Sequence, residues 1–271
     1  MSDIPIFDSL THPTLNGDWI LPKYQGRARL NELETQMEVS NVRWAFAVGM
    51  RGIGDYDGRS YLEFVRSSSK CLLPVAYFDY KASESAADVK QRIRRLKKLG
   101  YLGIKLHLRF SRIRLTDKIL PQVIKRAADA QMPVLLCTYR YCRNFDRLPN
   151  SFDDFLSLLS KVSDCPIILM HGGDVNLLQM MEVARAFTNV LVDLSFTLLK
   201  YEGSSLDLDV RHLFEHFDRR ICIGSDHPEF SLADLRRRFN HFAEGLDTNK
   251  ATNIAYRNIA AHAALNLTPR S

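Results

Sequence analysis

The stretch Arg220-Ile-Cys-Ile-Gly-Ser-Asp-His-Pro-Glu-Phe230 decides how the rest of the chain is read. A short apolar run stops at Gly224 and then presents Ser225, Asp226 and His227. It reads as a buried strand delivering a carboxylate at its C-terminal end. Barrel and doubly wound enzymes keep their chemistry there, because the strand fixes the side chain while the following loop leaves it open to a ligand. Asp226 is therefore a candidate base or metal ligand. The plainer role of capping the next helix falls to Ser231, since Pro228, Glu229 and Phe230 lie between.

Seven similar runs precede it. Ile4-Pro-Ile-Phe-Asp8 opens the chain, with His12 just past its end, and Val42-Arg-Trp-Ala-Phe-Ala-Val48 closes on a glycine-rich loop. Leu72-Leu-Pro-Val-Ala-Tyr-Phe78 ends at Asp79. Gly103-Ile-Lys-Leu-His-Leu-Arg109 alternates, which puts Lys105, His107 and Arg109 on one strand face. Pro133-Val-Leu-Leu-Cys137 leads to Tyr139, Arg140 and Tyr141, Pro166-Ile-Ile-Leu-Met170 runs into His171-Gly-Gly-Asp174, and Val190-Leu-Val-Asp-Leu194 ends at Ser195. Helical apolar spacing follows each run, most clearly over 84–99, where Gly100 stops it.

Eight strand-and-helix units at this spacing predict an α/β fold, a parallel eight-stranded (β/α)8 TIM barrel with outer helices. No linker-like segment interrupts it, so residues 1–271 are expected to form a single domain. An open doubly wound sheet would not place polar residues after every strand around one mouth. The barrel would gather His12, Lys105, His107, Cys137, His171 and Asp226 there.

These residues resemble a known family. Phe7-Asp-Ser-Leu-Thr-His-Pro13 is similar to the Asp-x-His-x-His-Pro opening of the amidohydrolase superfamily, in its amidohydrolase-related branch of decarboxylases, hydratases and lactonases. Gly103-Ile-Lys-Leu-His, Ile168-Leu-Met-His-Gly-Gly and Gly224-Ser-Asp-His-Pro resemble the branch's fourth, sixth and eighth strands, and Asn258-Ile-Ala resembles its last helix. The resemblance implies a divalent metal, zinc foremost, with His12, His171, Asp226 and Cys137 as the donors this chain retains. Two departures weaken that site: Leu10 stands where the first histidine belongs, and Cys137 where the strand-five histidine belongs. A thiolate binds zinc well, a leucine cannot, and a buried cysteine also serves as a small hydrophobe.

Three readings follow from the resemblance. A rebuilt metal site would activate water, with Asp226 and His171 catalytic. A metal-independent lactonase, or a decarboxylase-like lyase, would rely on Asp226 as base and on Lys105, His107 or His171 against developing charge. A degenerate barrel would bind a ligand without catalysis. Lys105, His107, Arg109, Tyr139, Arg140 and His227 are the candidate substrate-binding residues, and the arginines, Arg143 among them, suit a carboxylate or phosphate.

Composition narrows the partners. The net charge is +6, with clusters at Arg92-Ile-Arg-Arg-Leu-Lys-Lys98 and Arg236-Arg-Arg238. Both clusters have helical apolar spacing, which predicts solvated outer faces and only mild attraction to anions. A small anionic substrate is expected, with no nucleic acid and no membrane, and apolar helix faces fit a homodimer. The five cysteines (Cys71, Cys137, Cys142, Cys165 and Cys222) are scattered, which suits reduced thiols and a cytoplasmic protein. His212-Leu-Phe-Glu-His216 matches an inverted zinc-protease motif, but it falls in the helix before the eighth strand, away from the mouth.

Overall fold

The computed structural model describes residues 4–81, 83–139 and 150–267. The eight apolar runs become β1 (Ile6–Thr11), β2 (Val42–Val48), β3 (Cys71–Tyr77), β4 (Gly103–Leu106), β5 (Val134–Cys137), β6 (Ile167–Met170), β7 (Val190–Asp193) and β8 (Ile221–Cys222). They are hydrogen-bonded in sequence order, each neighbouring pair parallel. The ring closes between β8 and β1 through Ser9 N to Ile223 O (3.0 Å), Asp226 N to Leu10 O (2.9 Å) and His12 N to His227 O (2.8 Å). The result is a (β/α)8 barrel.

Helices form where the spacing and the caps agree. Ala86–Leu99 begins with a Ser85/Asp88 capping box and ends on left-handed Gly100, and Phe152–Lys161 begins with the same device from Ser151 and Asp154. Ser231 caps Leu232–Ala243 by accepting from Asp234 N, as its position before the apolar spacing suggested.

Alternation along the strands separates two apolar layers. One side of each strand packs under the outer helices, as Val134 and Leu136 of β5 do. The other side fills the barrel with Phe7, Leu10, Phe46, Leu135, Ile168 and Met170, among others. Ile259 and Ala263 join this inner cluster. Asn258 Nδ2 donates to Asp218 O and Ile221 O, and His262 Nε2 donates to Ile167 O (3.1 Å), so the last helix closes the barrel at the strand starts. The open end is therefore the C-terminal one.

Three expectations change. β4 stops at Leu106, because Ser111 N bonds to His107 O and residues Leu108–Ser111 form a helical turn; Arg109 rides on that turn and not on the strand face. β8 is shorter than its apolar run, although Ser9 N still donates to Ile223 O beyond its end, and Gly224 passes so close to β1 that a Cβ there would lie 2.3 Å from Ser9 Oγ. The basic cluster at 236–238 is not a solvated face. Arg238 is buried, donates to Leu198 O (2.9 Å) and pairs with Asp207, while Arg236 donates to Ile4 O, Ser40 O and Asn41 O. Only Arg237 of the three is mainly exposed. No helix among the described residues is long and apolar enough to cross a membrane. Cys137, Cys165 and Cys222 are free thiols. Arg140, Tyr141, Cys142 and Arg143 lie outside the described residues.

Candidate active site

The strand ends surround a cavity of about 220 Å³ lined by His12, Lys105, His107, Arg109, His171 and Asp226, with Tyr139 and Glu229 at its sides. Aromatic walls come from Trp19, Phe110 and Phe196. The backbone is strained around it: His171, Asp174, Phe196 and Asp226 all carry positive φ, at 68°, 61°, 66° and 59°. Such conformations persist only where the surroundings over-determine them, and they gather at functional sites.

Asp226 is held ionised. Burial alone would raise its carboxyl, but the hydrogen bond from His12 and the nearby charges of His171 and Lys105 prevail and hold it down at about 2. His12 is fixed on both sides: Nδ1 donates to Val48 O (2.8 Å), Nε2 stands 3.4 Å from Asp226 Oδ1, and the ring stacks on Trp19. Glu229 is the opposite case. Burial, reinforced by the negative charge of Asp226, pushes its carboxyl up to about 7, although Trp19 Nε1 donates to it at 3.2 Å. One carboxyl is ionised and the other titrates near neutrality, the division of labour of an acid and a base.

Cys137 lies under the cavity floor between two imidazoles. Burial opposes its thiolate, yet His107, with Nε2 at 3.8 Å, and His171 hold the thiol well below its usual range. His171 responds in the opposite direction. Burial disfavours its charge, but the bond to Cys137 and the negative charges of Cys137 and Asp226 raise it. His107 is pushed down to about 4 by burial, and its Nδ1 has no hydrogen-bond partner among the described residues. Lys105 is 1% exposed, and its Nζ likewise has none. Burial lowers its pKa, while Cys137 and Asp226 pull it back up. Arg109 stacks its guanidinium over Tyr139 at 4.4 Å, beside Lys200, which donates to Tyr139 Oη (3.1 Å).

A second buried polar layer supports this one. Asp8 accepts from Leu10 N (3.1 Å), Ser225 N (2.9 Å) and Ser225 Oγ (2.5 Å). Asp193 accepts from His171 N (3.2 Å), Ser195 N (3.1 Å), Ser195 Oγ and Ser9 Oγ. These bonds set the backbone on which His171 and Asp226 are presented. Burial, outweighing the bonds from Ser225 and Leu10, pushes the Asp8 carboxyl up to about 7.

His12, Lys105, His107, Arg109, Tyr139, His171 and Asp226 therefore converge on one cavity. His227 does not line it: its ring is buried with both nitrogens unpartnered among the described residues, and its backbone helps close the barrel. His212 and His216 are exposed on the outer helix Leu206–His216. Sequence reasoning missed Trp19, Phe196 and Glu229 at the cavity and Asp193 beneath it. Glu229 carried a signal, a carboxylate three residues past Asp226, whereas Trp19 comes from a loop whose path no periodicity reveals.

The retained donors do not fit the usual metal shell. Leu10 is fully buried among Phe7, Phe46 and the other interior side chains, where it brings no donor atom. His12 and Asp226 face each other, whereas Cys137 is engaged by His107 and His171. Among the described residues no three or more His, Cys, Asp or Glu side chains form a group that could hold a metal ion. A buried lysine amine shares the cavity with these residues.

The amidohydrolase family model matches residues 43–261. The chain belongs to the amidohydrolase family. His12 precedes the matched span. No curated protein sequence matches the chain significantly. Among solved structures, an uncharacterised TIM-barrel protein from Bordetella bronchiseptica superposes with a TM-score of 0.77 at 14% identity, covering 96% of this chain and 99% of that one. A dihydroorotase from Campylobacter jejuni reaches 0.65 at 13% identity, covering 98% and 85%. A 5-carboxyvanillate decarboxylase from Novosphingobium aromaticivorans with bound manganese reaches 0.60 at 12%, covering 85% and 80%. At these identities the likeness shows the shared barrel.

Proposed function

We propose that this amidohydrolase-family barrel is a small-molecule hydrolase acting on an anionic ester, lactone or amide through its own side chains. The observation that carries the reading is the convergence of ionised Asp226, His171, whose imidazole is held above its usual range by Cys137 and Asp226, and buried Lys105 on one cavity with Arg109 at its wall. Asp226 accepts the proton of a water as that water's oxygen attacks the substrate carbonyl carbon. The ammonium form of Lys105 faces the oxyanion that develops, in a site dry enough for the charge to count. His171 gives a proton to the leaving oxygen or nitrogen, and Glu229 exchanges protons between turnovers. Arg109 holds a substrate carboxylate or phosphate, for which its fork is shaped.

The cavity, at about 220 Å³, is smaller than the roughly 300–1,000 Å³ typical of drug-sized ligands, which supports a compact metabolite over a polymer. No step here is assigned to a metal, because Leu10 brings no donor atom and no three or more His, Cys, Asp or Glu side chains among the described residues form a group that could hold one. The test is turnover on a panel of carboxylated and phosphorylated lactones, esters and amides. Hydrolysis lost in both Asp226→Asn and His171→Gln supports the reading, and full turnover by Asp226→Asn on an identified substrate overturns it.

A further inference from the structure

The Lys105 side chain is the least explained group in the molecule. It arises from the middle of β4, is 1% exposed, and reaches the cavity from below. Its Nζ has no hydrogen-bond acceptor among the described residues. An ammonium buried without acceptors is costly, so burial shifts this amine toward the free base, against the pull of the Cys137 and Asp226 charges, and both forms of the amine are open to the site. A neutral amine at a cavity floor is a nucleophile toward carbonyl carbon. Proton-handling groups line the same cavity: His171 and Glu229 can donate, and Asp226 can accept.

We propose that Lys105 forms an imine with a small keto acid, so that the cavity also supports decarboxylation of 3-oxo acids, an activity separate from hydrolysis. The Nζ lone pair forms a bond to the ketone carbon, and the carbonyl oxygen takes a proton from Glu229 or His171 to give a carbinolamine. That hydroxyl then leaves as water with a second proton, while a proton from nitrogen passes to Asp226. The carbon–nitrogen double bond remains, protonated as an iminium. The electron pair of the bond to the carboxylate moves into the iminium, carbon dioxide departs, and the enamine that remains takes a proton at carbon. Addition of one water restores the amine and releases the ketone, so no oxidant, reductant or further reactant is needed. Arg109 and the aromatic walls of Trp19, Phe110 and Phe196 suit a short carboxylate with a flat body.

This inference does not depend on the hydrolase reading, because the two ask different things of one amine. Stabilising an oxyanion needs the ammonium, and condensing with a ketone needs the free base. The experiment is reductive trapping of the full chain with acetoacetate and cyanoborohydride at pH 7, followed by peptide mass mapping. The expected result is a single adduct on the Lys105 peptide, formed about tenfold or more faster than on any surface lysine, because burial without an acceptor disfavours the ammonium there and not at the surface. Lys105→Met keeps the length of the side chain without the amine. It should melt no lower than the parent chain and show no adduct above the surface background. Absence of an adduct at Lys105, or labelling there no faster than at surface lysines, overturns the imine while leaving hydrolysis by Asp226 intact. An adduct in a chain inactive on every lactone, ester and amide would uphold the imine and remove the hydrolase reading.

Discussion

Two buried polar layers lie one above the other at the open end of the barrel, and they treat hydrogen bonding in opposite ways. In the lower layer Asp8, Ser9, Asp193, Ser195 and Ser225 answer one another, and no side-chain oxygen among them is unpartnered. In the upper layer Lys105 Nζ and His107 Nδ1 are buried without partners among the described residues, although both residues line the cavity. Buried polar groups without partners are costly, so proteins rarely keep them without a use. The lower layer sets the geometry of the strand ends. The upper layer has hydrogen-bonding capacity left over, and a bound substrate is what would take it up. The same contrast separates the carboxylates: Asp193 is surrounded by donors, whereas Asp226 faces the cavity with His12 on one side.

The largest expected effect tests the upper layer. Asp226→Asn should lower turnover by about 10²- to 10⁴-fold, as loss of a general base does, with a melting temperature close to that of the parent chain. Steady-state kinetics beside calorimetry separates this outcome from simple unfolding. The lower layer should behave in reverse. Asp193→Ala strands the Ser195 and His171 backbone donors and leaves the Ser9 and Ser195 hydroxyls to find new acceptors, so urea denaturation should show a loss of at least about 3 kcal/mol, at about 1–3 kcal/mol per stranded group. Should Asp193→Ala unfold no more readily than the parent, the two layers would not differ as argued.

A third expectation concerns pH. The Asp8 carboxyl is raised from an ordinary 3.8 to about 7. The folded chain therefore holds this proton over a range where the unfolded chain has lost it. Stability from this group is fully present below about pH 4, declines as pH rises, and levels off above about pH 7. Asp8→Asn should flatten that part of the curve, measured by urea midpoints from pH 4 to 8. Asp226 opposes it only at lower pH, since its depressed carboxyl contributes stability above 3.8 that is lost as pH falls toward 2. The smallest effect belongs to Lys105→Met, which exchanges a buried unpartnered amine for an apolar chain of similar length and should gain about 1 kcal/mol. A marked loss there would mean that Nζ has a stabilising partner in solution.

The barrel was legible because its signal is periodic. Eight apolar runs, each closed by polar residues and followed by 3.6-residue spacing, admit few architectures, and Val42–Val48 is a strand with the same limits in both readings. The mouth was legible where a side chain follows directly from its strand, as for His12, Lys105, His171 and Asp226. It was not legible where the chain turns. Alternation through Gly103-Ile-Lys-Leu-His-Leu-Arg109 implied one long strand, yet a single backbone bond from Ser111 to His107 coils its end and carries Arg109 to the wall by another route. Arg238 shows the same limit on an outer helix. Its spacing suggested a solvated face, but a carboxylate from another helix, Asp207, draws it inside. The lower layer was hidden for a related reason. Ser195 and Asp193 read as an ordinary strand end, and only the closed ring brings Ser9 from the opposite end of the chain to meet them.

The central claim is that this mouth works with its own side chains where the resembling family uses a metal. The most direct measurement is zinc and manganese content per chain by elemental analysis of untagged protein, with calorimetric titration of each ion into chelator-treated samples. The account predicts less than about one-tenth of an equivalent bound and no binding tighter than about 10⁻⁵ M, because no three His, Cys, Asp or Glu side chains among the described residues are grouped to hold an ion, where a zinc site needs three or four donors. One equivalent of either ion, lost together in Asp226→Asn and Cys137→Ala, would contradict it.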